Sequence, residues 1–94
     1  MAEVIWSEAA SEQLDEIIAY IEQFDPIAAD QIAIRLYALS QSLSVFPNRG
    51  RPGPEDTREM ATVPPYVLIY EVLGDRVVVL DVHHGRRQPR RFKR

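Results

Sequence analysis

The sequence predicts an α+β domain of element order β-α-α-β-β-β, in which an antiparallel helical hairpin packs on a small, mostly antiparallel sheet. Three observations predict it. Apolar residues recur at helical spacing between Ala10 and Leu43. Two nearly continuous apolar runs, Tyr66–Val72 and Arg76–Val82, have strand character. Only two residues besides Leu73, Gly74 and Asp75, stand between those runs, which suits a tight hairpin turn.

Taken in order, Val4-Ile5-Trp6 is a short apolar run of strand type. Ser7 follows with a hydroxyl able to accept from the open amides of a helix start, and Glu8 sits in the first turn. The spacing of Ala10, Leu14, Ile17, Ile18 and Ile21 predicts a helix through about Phe24 with these residues on its buried face. Asp25-Pro26 then interrupts. Proline disfavours helical geometry in the residue before it but suits the first position of a helix, so Asp25 is expected to cap a second helix beginning at Pro26. That helix carries Ala29, Ile32, Ala33, Leu36, Leu39 and Leu43 on one side. With almost no linker, the two helices must fold back on one another.

The run from Pro47 to Pro54 holds three prolines and two glycines and cannot continue a helix, so it reads as an ordered, turn-rich loop. Beyond it, Thr57–Thr62 is a weak strand, and the two strong runs belong to the middle of the sheet, with the helices over one face. The second face is expected to be partly covered or partly functional. Residues 1–94 are expected to form a single domain, with 88–94 a flexible basic tail beyond Pro89.

Composition narrows the function classes. The chain is 46% hydrophobic and 27% charged, as folded domains are, and it has no cysteine, which excludes disulfides, a thiol nucleophile and thiolate-bound metals. No basic, apolar leader is visible and no stretch approaches the roughly 20 apolar residues of a membrane span, so the expected compartment is the cytoplasm. The net charge of -3 conceals a split. Residues 1–47 carry eight acids and one base, and residues 48–94 carry ten bases and six acids. One reading is solubility alone. The other is a face built to meet an anion or an acidic peptide.

Little in the pattern specifies catalysis. His83 and His84 are adjacent, so on a strand they point to opposite faces and cannot converge on one ion; no metal site and no cofactor is expected. The serines at 7, 11, 40, 42 and 44 lie at or inside helices, away from any strand–turn–helix nucleophile context. Gly50 and Gly53 lack the lysine–hydroxyl ending of a phosphate loop. Metal-free RNA cleavage needs a base, an acid and cations over the phosphate. Arg58, Arg86 and Arg87 offer charge, His83 or His84 a proton shuttle, and Tyr66 or Tyr70 a donor or stacking ring. The competing reading makes both tyrosines packing residues of one strand face.

Residues spread over most of the chain carry a family resemblance. They are Val4-Ile5-Trp6-Ser7-Glu8-Ala9-Ala10, Leu14-Asp15-Glu16-Ile17, Phe46-Pro47 with Gly50-Arg51, Arg58-Glu59, Tyr66-Val67-Leu68-Ile69-Tyr70, and Val79 through Arg87 with its ending His84-Gly85-Arg86-Arg87. Over about residues 4–90 the sequence resembles the ParE branch of the ParE/RelE toxin superfamily, the plasmid stabilisation proteins of type II toxin–antitoxin systems. The resemblance implies a helical hairpin on an antiparallel sheet and a ParD-like antitoxin whose C-terminal segment binds the toxin. Operator DNA would be contacted only indirectly, through the antitoxin, within a hetero-oligomer. ParE-type members poison DNA gyrase, whereas RelE-type members cut messenger RNA on the ribosome.

Carried over residue by residue, Arg58 matches the arginine of the second strand of the family, Tyr70 the aromatic of the central strand, and Arg86 or Arg87 the arginine after the last strand. Val67 stands where RelE-like nucleases have arginine, and the basic cluster before the sheet is reduced to Arg49 and Arg51. That departure favours a non-catalytic gyrase inhibitor with Arg86, Arg87, Arg90 and Arg91 as its toxic surface. Arg58, Tyr70, Arg86 and Arg87 are then the expected contacts of an antitoxin with an acidic C-terminal segment. The rival reading is a ribosome-dependent endoribonuclease using Arg58, His83, His84 and Arg87. A third is a binding module that is no longer toxic.

Overall fold

The computed structural model describes residues 1–85, and Arg86, Arg87, Arg90, Arg91 and the expected 88–94 tail lie outside the described residues. The elements are β1 (Glu3–Trp6), α1 (Glu8–Glu22), α2 (Pro26–Ser42), β2 (Arg51–Pro52), β3 (Arg58–Val63), β4 (Tyr66–Leu73) and β5 (Arg76–His84), with one 3-10 turn at Pro54–Asp56. This is the expected β-α-α-β-β-β order with a two-residue strand inserted in the loop. No described helix is long and apolar enough to cross a membrane.

The caps fall where the chemistry puts them. Ser7 Oγ accepts from Ala10 N at 3.1 Å, and Asp25 Oδ1 accepts from Ala28 N at 3.0 Å. Pro26 occupies the first position of α2, where its missing N–H has no partner to lose. Helix α1 stops at Glu22 rather than Phe24 because the amides of Phe24 and Asp25 both turn back onto Ile21 O, which tightens the last turn and delivers Asp25 to its cap.

The five strands run in the order β1-β5-β4-β3-β2. β4 and β5 are central as expected, and their turn holds Gly74 at φ +62°, a conformation that costs glycine nothing. All pairings are antiparallel except β1 with β5, where the helical hairpin and three strands separate the partners and permit a parallel neighbour. Ala10, Leu36, Leu39 and Leu43 of the helical layer pack against Met60, Val63, Leu68, Tyr70, Val77, Val79 and Val82. Trp6 ties the first strand to α2 by donating from Nε1 to Ser40 Oγ at 3.1 Å, while that hydroxyl donates to Tyr37 O.

One irregularity decides what each sheet face carries. In the β4–β5 ladder Ile69 pairs with Asp81 but Tyr70 pairs with Val79, so Leu80 is an extra residue, a β-bulge. Strict alternation would place Asp81 beside Val77 and Val79 under the helices. The bulge reverses the phase, so Val82 enters the core while Asp81 and His83 point to the far face. Beyond Trp6 the outer edge of β5 has lost its partner strand, and α1 takes its place: Gln13 Oε1 accepts from Val82 N at 3.0 Å.

Candidate functional site

Three surfaces carry the chemistry of the described residues. The first is the loop between α2 and β3. Tyr70, buried at 0% exposure, extends its ring from β4 beneath this loop. Its hydroxyl donates to Pro47 O at 2.7 Å and accepts from Gly50 N at 2.8 Å. Arg58, paired with Tyr70 across the β3–β4 ladder, donates from Nη1 to Asn48 O at 3.1 Å and to Gly50 O at 2.8 Å. Phenol and guanidinium therefore hold Pro47, Asn48 and Gly50, three residues of a loop whose prolines offer few donors of their own. Burial raises the Tyr70 phenol above its ordinary range; the Gly50 N–H and the positive charges of Arg58 and Arg49 oppose that rise. The phenol stays neutral and keeps its proton to donate.

Around the clamp, Arg49 donates to Ser42 Oγ at 3.0 Å and Arg51 pairs with Glu59 at 2.7 Å. Arg51 keeps 77% of its side chain exposed, so that pair adds little stability. The reduced basic cluster read from the sequence thus lies along one loop, beside an open groove lined by Val45, Phe46, Pro47, Asn48 and Arg49.

The second surface is the outer side of the helical hairpin. Tyr20, Phe24, Ile27, Ile34 and Tyr37 are each more than half exposed, as are Val45 and Phe46 at the hairpin's end. The rings of Tyr20 and Phe24 meet at 5.3 Å. Ile27 and Ile34 are seven residues apart and Tyr37 three further, so they share one side of α2. The helix periodicity in the sequence identified the inward stripe; these outward apolar residues were not singled out there.

The third surface is the sheet face turned away from the helices. It carries Ile69, Glu71, Asp81 and His83. His83 Nδ1 lies 2.7 Å from Asp81 Oδ2. Glu71 is 6% exposed and Asp81 1%. No group of three or more metal-binding side chains gathers among the described residues.

The structure brings some of the sequence-selected residues together and keeps others apart. Arg58 and Tyr70 are neighbours. Tyr70 offers no surface, so its part in any interface is to shape the loop above it. His83 and His84 point to opposite faces; His84 pairs with Tyr66 and meets its ring edge-on at 6.0 Å. Arg58 stands level with Tyr70 and His84 level with Tyr66, four residues along β4, or about 13 Å at the rise of a strand. Arg58, His83 and His84 therefore do not converge on one scissile bond.

The sequence reading missed the supporting roles of Gln13 and Gly50. Gly50 stood within a quoted motif, but its task depends on a tyrosine twenty residues away. No local signal announced the Leu80 bulge.

Comparison with known proteins places this geometry in context. Residues 4–89 match the model of the "ParE toxin of type II toxin-antitoxin system, parDE". The chain is 40% identical over 87 residues to the toxin RelE2 of Caulobacter vibrioides, covering 93% of this chain and 99% of that protein. It is 34% identical to the toxin RelE1 of the same organism, covering 90% and 95%. In fold it is similar to a chain solved as part of a chromosomal ParDE system from P. aeruginosa, with a TM-score of 0.79 at 19% identity over 89% of this chain and 96% of that one.

Proposed function

The chain belongs to the ParE toxin family of type II toxin–antitoxin systems, and from that premise we propose that it inhibits DNA gyrase through protein contacts rather than by catalysis. It is the toxin component of such a system. The observation that carries the non-catalytic reading is the dispersal of the acid–base candidates. Arg58 is committed to two loop carbonyls, and the two histidines face opposite sides of the sheet. A metal-free nuclease needs these groups around one phosphate. The inhibitory surface is the basic segment after β5, with Arg86, Arg87, Arg90 and Arg91, acting in the cytoplasm.

The proposed antitoxin is ParD-like. An amphipathic helix from it fits the exposed apolar side of the hairpin, from Tyr20 and Phe24 across Ile27, Ile34 and Tyr37. An acidic C-terminal segment then reaches the arginines after β5, some of them in two-point contacts. Replacing Arg86 and Arg87 by alanine is expected to weaken the toxin–antitoxin complex roughly tenfold at low salt and much less at high salt, because solvent-exposed charge pairs are screened. Titration calorimetry at two ionic strengths measures it. A loss independent of salt would remove the electrostatic role.

The deciding experiment adds purified toxin to gyrase and supercoiled plasmid. The expected result is accumulation of linear DNA with loss of supercoiling. Unchanged supercoiling and cleavage at large toxin excess would sink the proposal. The names of the two Caulobacter relatives favour a second reading, ribosome-dependent RNA cleavage of the RelE type. Primer extension on translated messages during growth arrest separates the two. Cuts at ribosome-occupied codons support the nuclease, and intact messages exclude it.

A further inference from the structure

The turn that follows α2 leaves apolar surface in water beside a fixed positive charge. Phe46-Pro47-Asn48-Arg49 closes tightly, with Arg49 N donating to Phe46 O at 3.1 Å. Pro47 stands at the second position, where its fixed φ suits such a turn. The two ends, one carrying an aromatic ring and the other a guanidinium, thus come within about 7 Å of one another at Cα. Both line the open groove, whose volume is about 630 Å³, the size of a small-ligand site. Val45 is 54% exposed and Phe46 63%, whereas Leu43 just before them is fully buried.

The groove is preformed. The Tyr70 hydroxyl holds Pro47 O, Arg58 holds Asn48 O, and Gly50 is held by both. Backbone pinned in this way loses little freedom on meeting a ligand. Arg49 is aimed as well: its Nη1 donates to Ser42 Oγ, and that hydroxyl donates to Leu39 O at 2.6 Å. The last turn of α2 has no basic residue of its own, so Arg49 also offsets the negative end of the helix. That role accounts for the charge but not for the exposed Phe46 and Val45 beside it. Among the described residues no carboxylate pairs with Arg49.

We propose that this groove takes an anchor of the antitoxin: an apolar side chain seated on Val45 and Phe46, next to a carboxylate that accepts from Arg49. Charge complementarity selects the carboxylate. Within the described residues only Nη1 of Arg49 is engaged, which leaves Nε and Nη2 to receive it side by side. Arg51 is paired with Glu59 and Arg58 is turned to the loop carbonyls. Among the described residues at this loop the groove therefore offers one guanidinium, which matches a single carboxylate better than a run of phosphates. The inference rests on the proposed ParD-like antitoxin, of which it names one contact, and it is independent of the toxin's target.

The test uses the full chain, isotopically labelled for NMR, and 4-phenylbutyrate as the probe, a phenyl ring on a short aliphatic carboxylate. Millimolar probe is expected to shift the amides of Val45, Phe46, Asn48 and Arg49 and few others. Arg49→Gln protein should bind it roughly tenfold more weakly, the scale of one charge-assisted hydrogen bond. The amine 4-phenylbutylamine reverses the charge and should leave those amides of wild-type protein unmoved, a comparison that needs no variant. The antitoxin should displace the probe at one equivalent. Absence of shifts, equal shifts from the amine, or a probe that stays bound in the toxin–antitoxin complex overturns the proposal. So do shifts at these amides from thymidine monophosphate with none from phenylbutyrate, since those assign the groove to nucleic acid. An antitoxin that fails to bind the toxin at all, seen by calorimetry, sinks the partner reading first and this anchor with it.

Discussion

Gly50→Ala is expected to destabilise the protein by about 3 kcal/mol, combining an overpacked site with lost buried hydrogen bonds. A Cβ built at Gly50 falls 2.7 Å from Tyr70 Oη, 2.8 Å from Tyr70 Cε1 and 2.9 Å from Glu59 O. All three are well inside ordinary contact. Tyr70 cannot swing aside, because its ring is fully buried among the core residues. Glu59 O belongs to β3, whose movement would disturb the pairing with both β2 and β4. The loop itself must lift, and lifting it breaks the contacts of Gly50 with Tyr70 and Arg58. For a domain of this size the midpoint of thermal unfolding should fall by on the order of 15 °C. Parallel urea and thermal melts of the two proteins measure it. A change below about 0.5 kcal/mol, the scale of an ordinary surface substitution, would show that the loop is free to relax and that the clamp is not rigid.

That clamp marks the boundary of what was legible in the sequence. The helices were legible because period and caps are local: Ser7 and Asp25 each satisfy an amide three residues on, and the stripe Ala29-Leu36-Leu39-Leu43 needs only the pitch of a helix. The central hairpin was legible from Gly74-Asp75 and its apolar flanks. What escaped depends on register between distant segments. Leu80 resembles its valine neighbours, so nothing local reveals that it is the bulged residue that turns Asp81 away from the helices. Gln13 lies three residues after Ala10 and four before Ile17, on the inward side of α1, but its partner is set at a distance: β1 ends at Trp6 and leaves Val82 N without a strand partner. Arg58 and Tyr70 were selected by family resemblance as contacts for a partner. Their neighbours in space were not legible, and those neighbours give both side chains a task inside the fold.

The same long-range dependence separates the parts of the molecule that make the domain from the parts that face outward. The hairpin's inner stripe, the clamp and the Gln13 contact are internal and close on themselves. The outer apolar side of α1 and α2 does not. A toxin that is held by an antitoxin needs such an unfinished surface.

Tyr70→Phe should cost about 2 kcal/mol near neutral pH, since it leaves the buried Gly50 N–H and the Pro47 carbonyl without their shared partner. The ring remains to fill the core, so the loss isolates the hydroxyl. The pH dependence gives a second check with a definite sign. Burial raises the folded phenol above the unfolded value of 10.0, so from that pH upward the unfolded chain releases the proton while the folded chain keeps it. The raised value thus supplies stability that is complete below pH 10.0 and is lost as the pH climbs through the folded value. Phenylalanine has no proton to release, and every other tyrosine is common to both proteins. The stability gap between wild type and Tyr70→Phe should therefore be widest and flat below pH 9 and shrink at higher pH, as seen by urea titrations from pH 8 to about 11. A gap that widens above pH 10.0 would mean that the folded phenol ionises first, stabilised by Arg58 and Arg49. In that case the two arginines, rather than the neutral hydroxyl, would govern the loop.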